Sequence, residues 1–218
     1  MAGAARFRAL GRMARLVALL CFLLPFATIS CSSRQLTDAF NNAMGPSASP
    51  TPVPRTAPER CVLIRATGVQ LALGMAEPAE ECLHAAAGFL PDAGPQSLAD
   101  TPLARSDPAV VLAFLLVVLS LALGFIRKGR LAVFGGAAGN VLAILATIWA
   151  IFVRLPQALH GFPPPASAPV TQEQLSRILE VNGGIGFWLM VLFLVLAIVL
   201  DLLALNRAEP LAARPAPS

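Results

Sequence analysis

Asp201 is the residue with the clearest capacity for chemistry, because it is the only acidic residue inside a long apolar stretch of this chain. An uncompensated charge in lipid costs at least ~2.5 kcal/mol, so such a carboxylate is either paired or part of a proton or ion path. It lies near the basic end of its run, within reach of Arg127, Lys128 or Arg207, and that position favours a structural ion pair. Asn140 is the second polar anomaly. It stands beside Gly135, Gly139 and Ala143, small residues at four-residue spacing, which places them on one helix face where another backbone can come close. There an asparagine serves better as an interhelical hydrogen-bond partner than as a ligand.

The cysteines offer a different chemistry. Cys31, Cys61 and Cys82 fall in polar stretches outside the apolar runs, and Cys21 falls inside one. A Cys61–Cys82 disulfide is the preferred pairing, since it would clamp the small structured part of the intervening segment; other connectivities stay open. Cys82, His84 and Glu81 form a metal corner on paper, but one Cys-x-His without a second pair is weak zinc spacing, so no metal ligand is assigned. His160 is isolated. No phosphate-cradling glycine loop, nucleophile elbow or paired zinc motif occurs, so no catalytic or cofactor-binding residue is assigned and the reading is not that of an enzyme.

These residues need elements to position them, and the elements are apolar. Of 218 residues 56% are hydrophobic and 13% charged, against about 25% charged in soluble domains. Four runs, 16–30, 109–126, 131–153 and 185–205, approach or reach the roughly 20 residues that cross ~30 Å of hydrocarbon. Arg6, Arg8, Arg12 and Arg15 precede the first run, Arg127, Lys128 and Arg130 separate the second and third, and Arg207 follows the fourth. Alternating crossings put every cluster on one side, as the positive-inside rule requires. The net charge of +4 is thereby spent beside membrane runs, which argues against nucleic acid.

The expected fold is an all-α membrane protein of four transmembrane helices with a long, partly disordered first extracytoplasmic loop. Residues 1–15 form a basic cytoplasmic N-terminus. Residues 16–30 are a first span or a signal segment; retention as an anchor is favoured, a loose lipobox ending at Cys31, which would lipidate that cysteine, is the next alternative, and ordinary signal-peptidase cleavage is the third. Residues 31–107 are extracytoplasmic, with proline-rich 41–60 disordered, a short strand or hairpin over 61–74 and a helix opening at Pro78. Asp107 and Pro108 suit the N-cap and first position of the second span, 109–126. A cytoplasmic turn, 127–130, joins it to the third, 131–153. The loop 154–184 carries a short amphipathic helix, 172–181, with Thr171 and Gln174 at capping-box spacing. The fourth span, 185–205, leads to a disordered cytoplasmic tail, 206–218.

Three patches, Pro25-Phe26-Ala27-Thr28-Ile29-Ser30-Cys31, Thr67-Gly68-Val69-Gln70-Leu71-Ala72-Leu73-Gly74 and Gly184-Ile185-Gly186-Phe187-Trp188-Leu189, together resemble segments of small uncharacterised bacterial multi-pass inner-membrane proteins. The resemblance implies a bacterial inner-membrane location and carries over no activity or site. The preferred role is an accessory or interaction subunit of a membrane complex, with the glycine face of the third helix docking a membrane-protein partner or a second copy, and lipid as the surrounding medium. A small transporter or channel subunit using Asp201 and Asn140 is the runner-up, and an envelope protein lipidated at Cys31 is a further alternative.

Overall fold

The first apolar run does not stay helical. In the computed structural model, which describes residues 2–32, 60–75, 77–78, 106–126, 130–160 and 179–212, helix α1 covers Ala2–Leu20 and tightens into a single turn at Cys21–Leu23. The chain then leaves as strand β1, Pro25–Ser32. Pro25 has no N–H to donate and forces the residue before it out of the helical region, and Leu24 is extended at φ −86°, ψ 163°. The β-branched Thr28 and Ile29 beyond it suit a strand. The expected span over 16–30 is therefore corrected to half helix and half strand.

That strand organises a small sheet, and an all-α fold is corrected with it. β2 is Arg60–Thr67, β3 is Glu77–Pro78 and β4 is Leu179–Gly183, in the order β3-β2-β1-β4 with every neighbour antiparallel. β1 is central and largely buried, pairing Ile29 with Ile64 on one side and with Val181 on the other. The strand expected over 61–74 is right in its first half. At Thr67 a capping box ends it: Thr67 Oγ1 accepts from Gln70 N at 3.1 Å while Thr67 N donates to Gln70 Oε1 at 2.8 Å. This opens helix α2, Gly68–Leu73, closed by Gly74 at φ 74°, a left-handed conformation that glycine adopts without strain. Pro78 lies in β3, and the rest of the helix expected after it, through 88, lies outside the described residues. The amphipathic helix expected at 172–181 is strand at its C-terminal end, with 172–178 outside the described residues.

The remaining elements are helices, and the protein is mostly helical. α3 covers Pro108–Ile126 and α4 covers Arg130–Trp149. A five-residue π-helical segment, Ala150–Arg154, carries α4 into α5, Leu155–His160. The wide turn has a local cause: Pro156 supplies no donor and its ring would press on the Phe152 carbonyl, a clash that a looser spiral relieves. α6 runs over Ile185–Ala212, so the helix continues beyond the expected end at 205. Three helical stretches, Pro108–Phe125, Val133–Ala158 and Ile185–Asn206, are long and apolar enough to cross a membrane. Their outward side chains, Leu115, Leu119, Leu142, Leu145, Leu192 and Val195 among them, are apolar and exposed, as lipid contact requires.

The sheet joins one end of this bundle through unusually close backbone packing. A Cβ on Gly184 would lie 2.3 Å from Pro25 O, one on Gly186 2.7 Å from Cys21 O, and one on Gly68 2.6 Å from Phe22 Cδ1. The three patches singled out in the sequence thus meet in one place, where the start of α6, the bend after α1 and the start of α2 touch. Phe22, Phe26, Phe114, Phe152 and Phe187 form an aromatic chain beneath them, with ring centroids 5.0 to 5.9 Å apart. Gly186→Ala is expected to cost about 1–3 kcal/mol through overpacking. Gly135→Ala, whose new carbon would meet Leu123 Cδ1 at an ordinary 3.6 Å, should leave stability unchanged or raise it by up to about 1 kcal/mol, the helix preference of alanine over glycine. Unfolding of the two variants in detergent measures the difference.

Candidate functional site

Helix α1 carries an arginine on its buried face. Gly11, Ala14, Arg15 and Ala18 are buried at the i, i+3, i+4, i+7 spacing of one helical stripe, and Arg15 is 3% exposed. The stripe packs on α6, and α1 makes its most extensive contact with that helix. Gly11 permits the approach, since a Cβ there would stand 3.2 Å from Asp201 Oδ1. The partner of Asp201 is therefore Arg15: its Nη2 donates to Asp201 Oδ2 in a buried ion pair, the carboxylate residue being 4% exposed. Arg127, Lys128 and Arg207, the partners considered from the sequence, are replaced by an arginine 186 positions away.

A second pair of polar groups lies beside the first. Ser120 Oγ on α3 is 2.7 Å from Asn140 Oδ1 and 3.1 Å from Gly136 O, both on α4. Its proton can serve one acceptor at a time. Asn140 thus bonds across helices, and Ser120 supplies the partner that the sequence reading did not single out. Gly136 links the pairs: a Cβ at that position would lie 2.9 Å from Arg15 Nη2 and 3.7 Å from Ser120 Oγ. The guanidinium occupies the space a side chain would fill. Two buried donors, Arg15 Nε and Asn140 Nδ2, lack a hydrogen-bond partner. Thr147 is also buried and donates to Ala143 O within α4 at 2.7 Å.

The small-residue face of α4 is already in use. Gly139 stands where a Cβ would meet Ser120 Cβ at 3.5 Å and Leu116 O at 3.7 Å, and Ala143 is fully buried. Gly135 is exposed, with Leu123 its nearest neighbour. Of the face expected to dock another membrane helix, Gly139 is covered by α3 of the same chain and Ala143 is buried, while Gly135 stays exposed. What the small residues provide is the close α3–α4 approach that brings Ser120 to Asn140.

Cys31 is 2% exposed in the central strand, opposite Cys61 on β2 and Leu179 on β4 in register, and Cys21 and Cys31 are free thiols. Burial raises the Cys31 thiol above its ordinary range, outweighing a backbone hydrogen bond that lowers it. Cys82, His84 and Glu81 lie outside the described residues. His160 ends α5. No group of three or more metal-ligating side chains occurs among the described residues.

At the sheet end, Asp107 Oδ1 accepts from Ala109 N at 2.8 Å, the cap expected for the second span, and Asp107 N donates to Leu71 O at 3.1 Å. Between this cap and the π-helical turn lies a cavity of about 250 Å³. Trp149 and Trp188, both exposed, lie near this end, and the Arg154 guanidinium stacks 5.4 Å from the Trp149 ring centroid. Comparison of the chain with protein-family models, with curated proteins and with solved structures finds no match.

Two outcomes follow from this geometry. Arg15→Met or Asp201→Leu alone leaves an uncompensated buried charge, which costs about 3–5 kcal/mol, whereas the double variant should recover most of the loss. A double-mutant cycle of unfolding in detergent reads the coupling. The thiolate is the nucleophile, so a buried thiol held protonated above its usual range reacts slowly. Maleimide at pH 8 should leave Cys31 unmodified in the folded protein and modify it after denaturation, with peptide mass spectrometry as the readout.

Proposed function

We propose that this chain is an accessory subunit of a bacterial inner-membrane complex, a multi-pass protein that contacts other membrane components rather than moving or transforming a substrate. The observation that carries the reading is the mutual pairing of the charges inside the bundle: Arg15 and Asp201 neutralise one another across α1 and α6. A carboxylate whose oxygen is already taken up by a buried arginine has no free acceptor face to offer a passing solute, and so serves poorly as a carrier site. The basic residues Arg6, Arg8, Arg12 and Arg130 support placing the end opposite the sheet in the cytoplasm and the sheet outside. Residues 1–30 belong to the mature protein in this reading, because cleavage before Cys31 would remove Arg15 and most of the central strand.

With the glycine side of α4 seated on α3, the contact surface falls to its outward ridge, where Leu142 and Leu145 are exposed. One feature favours transport as a second reading: the unpartnered buried donors Arg15 Nε and Asn140 Nδ2, which could serve water or an anion inside the bundle. A photo-crosslinking residue at Leu145, introduced in cells, is expected to capture one defined membrane protein, while purified protein in liposomes carries no proton or anion flux. Flux that disappears in Asp201→Asn would replace the accessory reading with the transport one.

A further inference from the structure

The cavity at the sheet end has the composition of an amphiphile site. Its lining joins the buried apolar Leu71, Val110 and Ile151 to two half-buried charged residues that form its polar rim, Asp107 at the start of α3 and Arg154 in the π-helical turn after α4. At about 250 Å³ it falls slightly below the range of pockets that enclose a whole drug-sized ligand, and suits a headgroup with the start of its chain. Its depth in the molecule also matters. It lies where α3 begins and along the last turns of the Val133–Ala158 span, close to the exposed Trp149, at the end of the bundle where hydrocarbon gives way to headgroups.

The rim charges are of opposite sign and are not spent on each other. Among the described residues neither Asp107 nor Arg154 takes part in an ion pair. Asp107 uses Oδ1 for its cap, and Arg154 is oriented by the Trp149 ring. A guanidinium recognises phosphate through parallel charge-assisted hydrogen bonds, and a carboxylate recognises an ammonium. The π-helical turn is what presents Arg154 and Ile151 together on the cavity wall, and such turns occur frequently at functional sites.

We propose that this cavity binds the headgroup of a zwitterionic phospholipid bearing a primary amine, with the phosphate on Arg154, the ammonium on Asp107 and the adjoining chain on Leu71, Val110 and Ile151. The inference is independent of the accessory role. It is tested by native mass spectrometry of the full chain in mild detergent, supplied with phosphatidylethanolamine, phosphatidylglycerol or phosphatidylcholine. Wild type should retain one phosphatidylethanolamine in preference to the other two. Arg154→Gln should weaken that retention about tenfold, the loss of one charge-assisted contact. Ala158→Phe, which fills the cavity while leaving both charged residues in place, should abolish it, while Arg12→Gln at the opposite end should leave it unchanged. Unaltered retention in both Arg154→Gln and Ala158→Phe overturns the site. Equal retention of phosphatidylglycerol overturns the zwitterionic assignment, and equal protection from thermal unfolding by free phosphoethanolamine overturns the choice of a membrane lipid as its source.

Discussion

The buried pair of Arg15 with Asp201 is the interaction on which the arrangement of the helices depends. Neither charge is tolerable alone in an apolar interior, where the desolvation penalty of a single ion amounts to several kcal/mol. Each helix therefore needs the other. Pairing holds α1 on α6 at one height and one rotation, because a slip of a single residue would turn Arg15 away from the carboxylate by about 100°. Gly11 and Gly136 belong to the same constraint, one admitting the carboxylate and the other the guanidinium. The contact between Ser120 and Asn140 extends it to α3 and α4. Four helices are thus tied through one polar seam, in a bundle whose other contacts are chiefly dispersion forces with little directional preference.

The sheet depends on the same alignment. β1 begins one short turn after α1 ends, so the height of α1 sets the height of the central strand. β4 enters α6 through Gly183 and Gly184, and so the helix that carries Asp201 also carries the edge strand. An ion pair deep in the bundle and a β-ladder at its end fix the same two chain segments at two levels. The glycines at 184 and 186 and the aromatic chain of Phe22, Phe26 and Phe187 fill the space between. This couples the polar lock to the end of the molecule where the cavity and both tryptophans lie.

Apolar length and proline placement made α3, α4 and the start of α6 legible from the sequence, since hydrocarbon thickness is a one-dimensional ruler. Asp107 and Pro108 marked the beginning of α3 by local chemistry alone. The capping box at Thr67 and Gln70 was equally local, yet a strand preference upstream concealed it. The run from Leu16 to Ser30 misled because hydropathy reports burial and not conformation. Its second half is buried as a central strand, which reads as continuously apolar in the same way as a membrane helix. The stripe of Gly11, Ala14, Arg15 and Ala18 was the available sign that an arginine faces inward, obscured by its membership in a basic cluster that resembles a topological anchor.

What the sequence determined by itself is the apolar medium and the path of three of the four spans it led us to expect, their end signals, and an aspartate that must find a compensating partner, all set by residues adjacent in the chain. Tertiary structure decided which cation meets Asp201, which helix covers the glycines of α4, and that Pro25–Ser32 forms the middle of a sheet. These are pairings between segments as far apart as 186 residues, chosen by which faces pack with their polar groups satisfied. No local propensity records that choice, because its free energy exists only once both partners have left water.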